Sequence, residues 1–171
     1  MNNAAITHPI PPVYNSESKI LILGSFPSPA SRDAGFYYGN KRNRFWKLLA
    51  NLIDKKKPQT RADKIKFLHA YHIALFDVIQ SCRISGAADA SIKDAKPNDI
   101  SSIISHTKIQ AIFLNGKTAS KLFHHFFNSM IFHNIEEIEP NVFTLPSTSP
   151  ANASYNFEKL ISAWTVIKDF L

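Results

Sequence analysis

The segment Gly35-Phe-Tyr-Tyr-Gly-Asn-Lys-Arg-Asn-Arg-Phe-Trp46 sets aromatic residues on both sides of a polar and basic stretch. A nucleobase turned out of a helix needs an aromatic face to lie on and cations close to its phosphates. Tyr37 or Tyr38 can supply the face, and Lys41, Arg42 and Arg44 the cations. Phe45 and Trp46 also read as core residues of a helix beginning there, and Asn43 stands where an N-cap belongs. Just upstream, Gly24-Ser-Phe-Pro-Ser-Pro-Ala-Ser31 is a run of small and rigid residues. Such residues let backbone N–H groups approach a ligand, although they also make a tight connection. Neither the lysine ending of a P-loop nor the glycine spacing of a dinucleotide fingerprint is present. A second polar loop, Leu145-Pro-Ser-Thr-Ser-Pro-Ala-Asn152, offers the hydroxyls of Ser147, Thr148 and Ser149 to phosphate oxygens. Its plainer reading is a serine-rich turn.

These loops follow short apolar runs. Residues 19–23, 73–76, 109–114 and 141–145 read as strands, the first ending at Gly24 and the third at Asn115-Gly116. Helical spacing runs from Phe45 to Ile53, and a second helix starts at Thr60 with Asp63 as its capping-box partner. Further helices are expected over 100–106, 118–127 and, amphipathic, from Phe157 to Leu171. Residues 94–99 read as polar loop. The alternation predicts a three-layer α/β/α sandwich around a central, mainly parallel four-stranded sheet. In such sheets the ligand lies beyond the carboxyl ends of the strands, where both unusual loops fall. The proline-rich segment 1–18 reads as an irregular lead-in and residues 19–171 as a single domain.

The 171 residues carry a net charge of +7, a field that draws polyanions. The single cysteine, Cys82, excludes an intramolecular disulfide, a Cys-rich metal site and an iron–sulfur cluster. His69 with His72, and His124 with His125, have no nearby carboxylate or cysteine to complete a ligand set, so neither metal nor cofactor is expected. No apolar run approaches the ~20 residues of a membrane span, and no signal peptide is evident. An intracellular, nucleoid-associated protein follows as the expectation.

The ordered motifs resemble the uracil-DNA glycosylase superfamily, and within it the hypoxanthine-DNA glycosylase branch. The resemblance rests on Gly24-Ser-Phe-Pro-Ser28, Phe36-Tyr-Tyr38, Asn43-Arg-Phe-Trp46, Asp77-Val78, Cys82-Arg83, Gly86, Asp89, Asn98-Asp-Ile100 and Leu145 to Asn152. It implies a monofunctional DNA glycosylase that removes hypoxanthine, with uracil as a second base, from DNA containing deaminated or mismatched bases. Most branches carry Asn or Asp in the first motif to handle the attacking water; Phe26 stands there in this chain. The hypoxanthine branch shares that departure, and its catalytic asparagine corresponds to Asn43. The resemblance implies Ser25, Phe26, Tyr37 and Tyr38 as base contacts, the first two through backbone N–H groups. It places Arg44, Ser147, Thr148, Ser149, Pro150 and Asn152 at the DNA strand. Pro150 and Ala151 are small, so any wedge they form is shallow. Asp77, at a strand end, can polarise a water or cap the following turn. A monomer is expected. Two other classes remain open to the residues alone: an inactive nucleic-acid-binding module, and an unrelated α/β hydrolase acting on a small phosphate ester.

Overall fold

The computed structural model describes residues 5–84, 91–127 and 140–171. Gly86 and Asp89, named above, lie outside the described residues. In chain order the elements begin with β1 (Ile6–Thr7), β2 (Ile20–Gly24), α1 (Pro29–Ala34), α2 (Phe45–Leu52) and α3 (Arg61–Ala70). They continue with β3 (Ile73–Asp77), β4 (Ile79–Arg83), β5 (Lys93–Pro97), α4 (Ile100–Ser105) and β6 (Ala111–Asn115). Then follow α5 (Lys117–Phe127), β7 (Asn141–Leu145), α6 (Phe157–Trp164) and a 3₁₀ turn over Thr165–Phe170.

The main sheet has the order β3-β2-β6-β7, and every neighbouring pair is parallel. β2, β3 and β6 are buried along their whole length, which is why they read as continuous apolar runs rather than alternating ones. Helices flank the sheet; α3 packs on β3, and α5 on β6 and β7. α2 packs on α6, with Phe45 meeting Trp164 edge to face. From β2 the chain passes to β3 on one side and later returns to β6 on the other. The crevice between β2 and β6 is therefore the topological switch point, where an open α/β sheet accepts a ligand.

Three expectations are corrected. Residues 94–99 do not form a loop throughout: Lys93–Pro97 is β5, paired antiparallel with β4. β1 completes that second, three-stranded sheet in the order β1-β4-β5. β5 is largely exposed, so it needs no apolar face, and its lysines protect an edge. The segment 1–18 is likewise not irregular throughout. Beyond β1, Val13 exchanges two backbone hydrogen bonds with Leu75 on the outer edge of β3. Ile10 and Val13 are buried there; prolines are tolerated because an edge leaves their missing donors uncalled for. Finally, the loop after β2 holds a short helix, α1, with Ser28 as N-cap, Pro29 in its first turn and Gly35 left-handed at φ 61°.

Candidate active site

Three loops leave the carboxyl ends of β2, β6 and β7 and meet at one hydrogen-bond network. Its centre is Thr148, which is fully buried. Thr148 N donates to Asn115 Oδ1 (3.0 Å), and Asn115 Nδ2 donates to Thr148 Oγ1 (3.1 Å). With its oxygen so engaged, Thr148 sends its hydroxyl hydrogen to Asn43 Oδ1 at 2.9 Å. Phe45 N donates to the same Oδ1 at 3.0 Å. A backbone N–H can only donate, so this contact fixes which end of the Asn43 amide is oxygen. Both lone pairs of that oxygen are occupied. Asn43 Nδ2 has no partner among the described residues, and the side chain is only half-buried.

The helix-start reading of Asn43 is thus half right. Arg44 occupies the N-cap position of α2 without a side-chain cap, while Asn43, one residue earlier, receives the Phe45 N–H. One carbonyl serves the helix start and the network, and its amide nitrogen is left for a ligand.

Asn115 is a site residue that the sequence reading passed over as a strand break. Its second Nδ2 hydrogen goes to Tyr38 Oη at 2.9 Å. Its place at the end of a central parallel strand was the available signal. Tyr38 adopts φ 54°, unusual for a bulky residue, and its ring stacks on Phe45 at 3.8 Å. Phe45 thus covers one face of the ring.

Gly24 ends β2 in register with Asp77. A Cβ on Gly24 would fall 2.3 Å from Asp77 Oδ1 and 3.4 Å from Tyr38 Oη. Glycine is required there by close approach. The N–H groups of Ser25 and Phe26 donate to nothing among the described residues, so both remain available as donors at the crevice.

Two residues expected at the ligand lie elsewhere. Tyr37 is 2% exposed, and its hydroxyl donates to the carbonyls of Ile10 and Pro11. It is a core residue pinning the N-terminal segment, because the chain reverses at Tyr38 and turns Tyr37 inward. Burial pushes its phenol well above the usual range. Arg44, expected at phosphate, spends its guanidinium on carbonyls: Thr148 (3.2 Å), Ser149 (2.6 Å), Asn152 (3.2 Å) and Tyr155. It clamps the loop after β7 onto α2. The hydroxyl of Thr148 is likewise committed to the network rather than open to phosphate.

Ser147, Ser149 and Asn152 instead border a cavity of about 600 Å³ with Lys117, Thr118 and Tyr155. Asn152 Nδ2 holds the Ser147 carbonyl at 3.0 Å, and Pro150 stands exposed at the loop tip. The cavity opens at the first turn of α5, whose leading N–H groups have no acceptors within the helix. Phe26 is 6% exposed, with its ring against His8 and the Arg32 guanidinium. Among the described residues no cluster of three His, Cys, Asp or Glu side chains is placed to hold a metal ion. No helix among them is long and apolar enough to cross a membrane.

An all-parallel four-stranded sheet with a polar site at its switch point is the architecture of an open α/β protein. The fold is similar to the solution NMR structure of a protein described as a uracil DNA glycosylase from Methanosarcina acetivorans. The TM-score is 0.76 at 27% identity, covering 96% of this chain and 99% of that one. The chain belongs to the uracil DNA glycosylase superfamily, whose family model matches residues 11–168. It is 34% identical over 113 residues to a protein named hypoxanthine DNA glycosylase from Methanosarcina acetivorans, covering 65% of this chain and 72% of the relative. A relative of the same name from Methanosarcina barkeri is 31% identical over the same length and shares.

Proposed function

We propose that this protein hydrolyses the N-glycosidic bond of hypoxanthine in DNA, acting on a base flipped into the crevice between Gly24, Asn43 and Asn115. The observation that carries the reading is the state of Asn43: its carbonyl is held by two donors while its NH₂ is unspent. As the bond to the sugar breaks, the electron pair stays on the base. A fixed donor aimed at that growing charge is worth roughly 10²–10³ in rate. Asn43 Nδ2, with the N–H groups of Ser25 and Phe26, supplies such donors from a frame that need not reorganise. The ring of Tyr38, backed by Phe45, gives the base an aromatic platform. Asn115 orients Thr148 and Tyr38 without touching the base, since both its amide hydrogens are used.

The names of the two relatives support hypoxanthine as the base, and its weakened pairing lowers the cost of flipping. The DNA strand passes over the cavity beside α5, with Lys117, Ser147 and Ser149 on its phosphates and Pro150 pressing shallowly on the stack. The net charge of +7 steers the encounter. The protein acts as a monomer, in the cell, at the nucleoid.

The test is excision from labelled duplexes carrying hypoxanthine, uracil or a G·T mismatch, with abasic sites cut by alkali. Product from the hypoxanthine duplex is expected. No product from any duplex would sink the proposal, and an undiminished rate in Asn43→Ala would remove Asn43 from it.

A further inference from the structure

Saturation of Asn43 Oδ1 leaves one requirement of the reaction unmet: an acceptor for the attacking water. Phe26 cannot provide it. The structure places a carboxylate in the next strand, at the level of Gly24. Asp77 is 4% exposed, and its Oδ2 lies 2.8 Å from His8 Nε2. The direction of this bond is determined: Ile10 N donates to His8 Nδ1 at 3.2 Å, so Nδ1 accepts and Nε2 carries the hydrogen. His8 Nε2 therefore donates and Asp77 Oδ2 accepts.

The other oxygen is different. No hydrogen bond reaches Asp77 Oδ1 among the described residues. The one fully enclosed side-chain nitrogen or oxygen without a partner among them is His72 Nδ1, so Asp77 Oδ1 keeps some exposure to solvent. It lies beside Gly24 and the hydroxyl of Tyr38, within the crevice described above.

His8 is held as firmly as its partner. Its side chain is 2% exposed. Phe76 and Phe26 meet its ring edge to face at 5.2 and 5.8 Å, with Tyr37 tilted at 6.1 Å. The residue that replaces the usual Asn or Asp of the first motif therefore packs the imidazole that orients Asp77.

We propose that the His8–Asp77 pair supplies the water acceptor that the first motif lacks, with Asp77 as the catalytic base and His8 as its positioning residue. The proposal rests on the glycosylase reading and deepens it. In the step, water oxygen bonds to C1′ of the sugar while the C1′–N9 bond breaks and leaves its electron pair on the base. One water proton passes to Asp77 Oδ1, and the departing base takes a proton from solvent. His8 keeps its own proton throughout and fixes the carboxylate by bonding Oδ2.

Single-turnover excision of hypoxanthine, with DNA affinity measured in parallel, tests this. Asp77→Asn is expected to slow the chemical step by roughly 10²-fold or more, the usual range for losing a general base, with affinity nearly unchanged. His8→Ala is expected to slow it by about tenfold, and His8→Gln, which keeps a donor, to recover most of that loss. Added formate is expected to restore part of the rate to Asp77→Gly. Val13→Ala loosens the same N-terminal segment without touching Asp77, so it controls for stability. An undiminished rate in Asp77→Asn would overturn the proposal. So would equal losses in His8→Ala and Val13→Ala at matched melting temperature. Failure of the unaltered protein to release any base would overturn the glycosylase reading as well. If His8→Ala does not fold, His8→Gln and Asp77→Asn, which preserve volume, carry the comparison.

Discussion

Thr148 donates its hydroxyl hydrogen to Asn43 Oδ1 across 2.9 Å, joining two loops separated by 105 residues in the chain. The bond decides which end of the Asn43 amide faces a ligand. Thr148→Val keeps the shape of the side chain and removes the donor. It also leaves the Asn115 and Asn43 amides short of a partner, at about 1–3 kcal/mol in stability. Single-turnover excision is expected to fall about tenfold while Thr148→Ser stays close to the parent. An unchanged rate in Thr148→Val would detach the network from the chemistry.

Gly24→Ala introduces a methyl 2.3 Å from Asp77 Oδ1. The carboxylate must move, because the alternative is displacement of a fully buried central strand. A loss of about 1–3 kcal/mol in urea unfolding is expected, together with slower excision. Retention of both stability and rate would contradict the close approach.

Arg44→Lys is expected to cost about 2 kcal/mol or more, because an ammonium cannot reproduce a guanidinium fork spread over several carbonyls. Its effect on DNA binding is the more telling measurement. The slope of log affinity against log salt should stay as in the parent, since the Arg44 guanidinium is spent on backbone carbonyls. Lys117→Ala should reduce that slope by about one charge. The opposite pattern would return Arg44 to the DNA.

Tyr37 carries a pH prediction. Burial raises its folded-state pKa far above the ordinary phenol value of 10.0, so the native protein disfavours the phenolate that the unfolded chain forms freely. The resulting stability is fully present below pH 10 and falls as pH rises further. Chemical unfolding at pH 8 and pH 11 should show this alkaline loss in the parent and much less of it in Tyr37→Phe. The variant starts lower, by about 1 kcal/mol, for its lost hydrogen bonds. Equal alkaline losses in both would refute the assignment.

The main sheet was legible in the sequence because its strands are buried on both faces, and burial writes itself as an unbroken apolar run. Ile20–Gly24 and Ile73–Asp77 are the plain examples. The capping box at Thr60 and Asp63 was legible for the same kind of reason, since two short-range hydrogen bonds fix both residue types. β5 was not, because a solvent-facing edge strand has no hydrophobic pattern to display. Neither was α1, which buries only Ser31 and so displays no apolar spacing, unlike the equally short α4 with its three buried isoleucines.

The site divides in the same way. Residue types and order within the chain determined the superfamily, the absence of a catalytic group at Phe26 and the interest of Asn43. Contact across the fold determined the rest. Tyr37 and Tyr38 are adjacent in sequence, and only the backbone reversal at Tyr38 sends one to the core and the other to the site. The guanidinium of Arg44 binds carbonyls more than a hundred residues away. His8 reaches Asp77 from 69 residues distant. Local pattern records only how each residue meets its neighbours along the chain and whether its surroundings are wet. Which carbonyl, carboxylate or hydroxyl completes its hydrogen bonds depends on distant segments converging, and that was settled by the packing of the sheet.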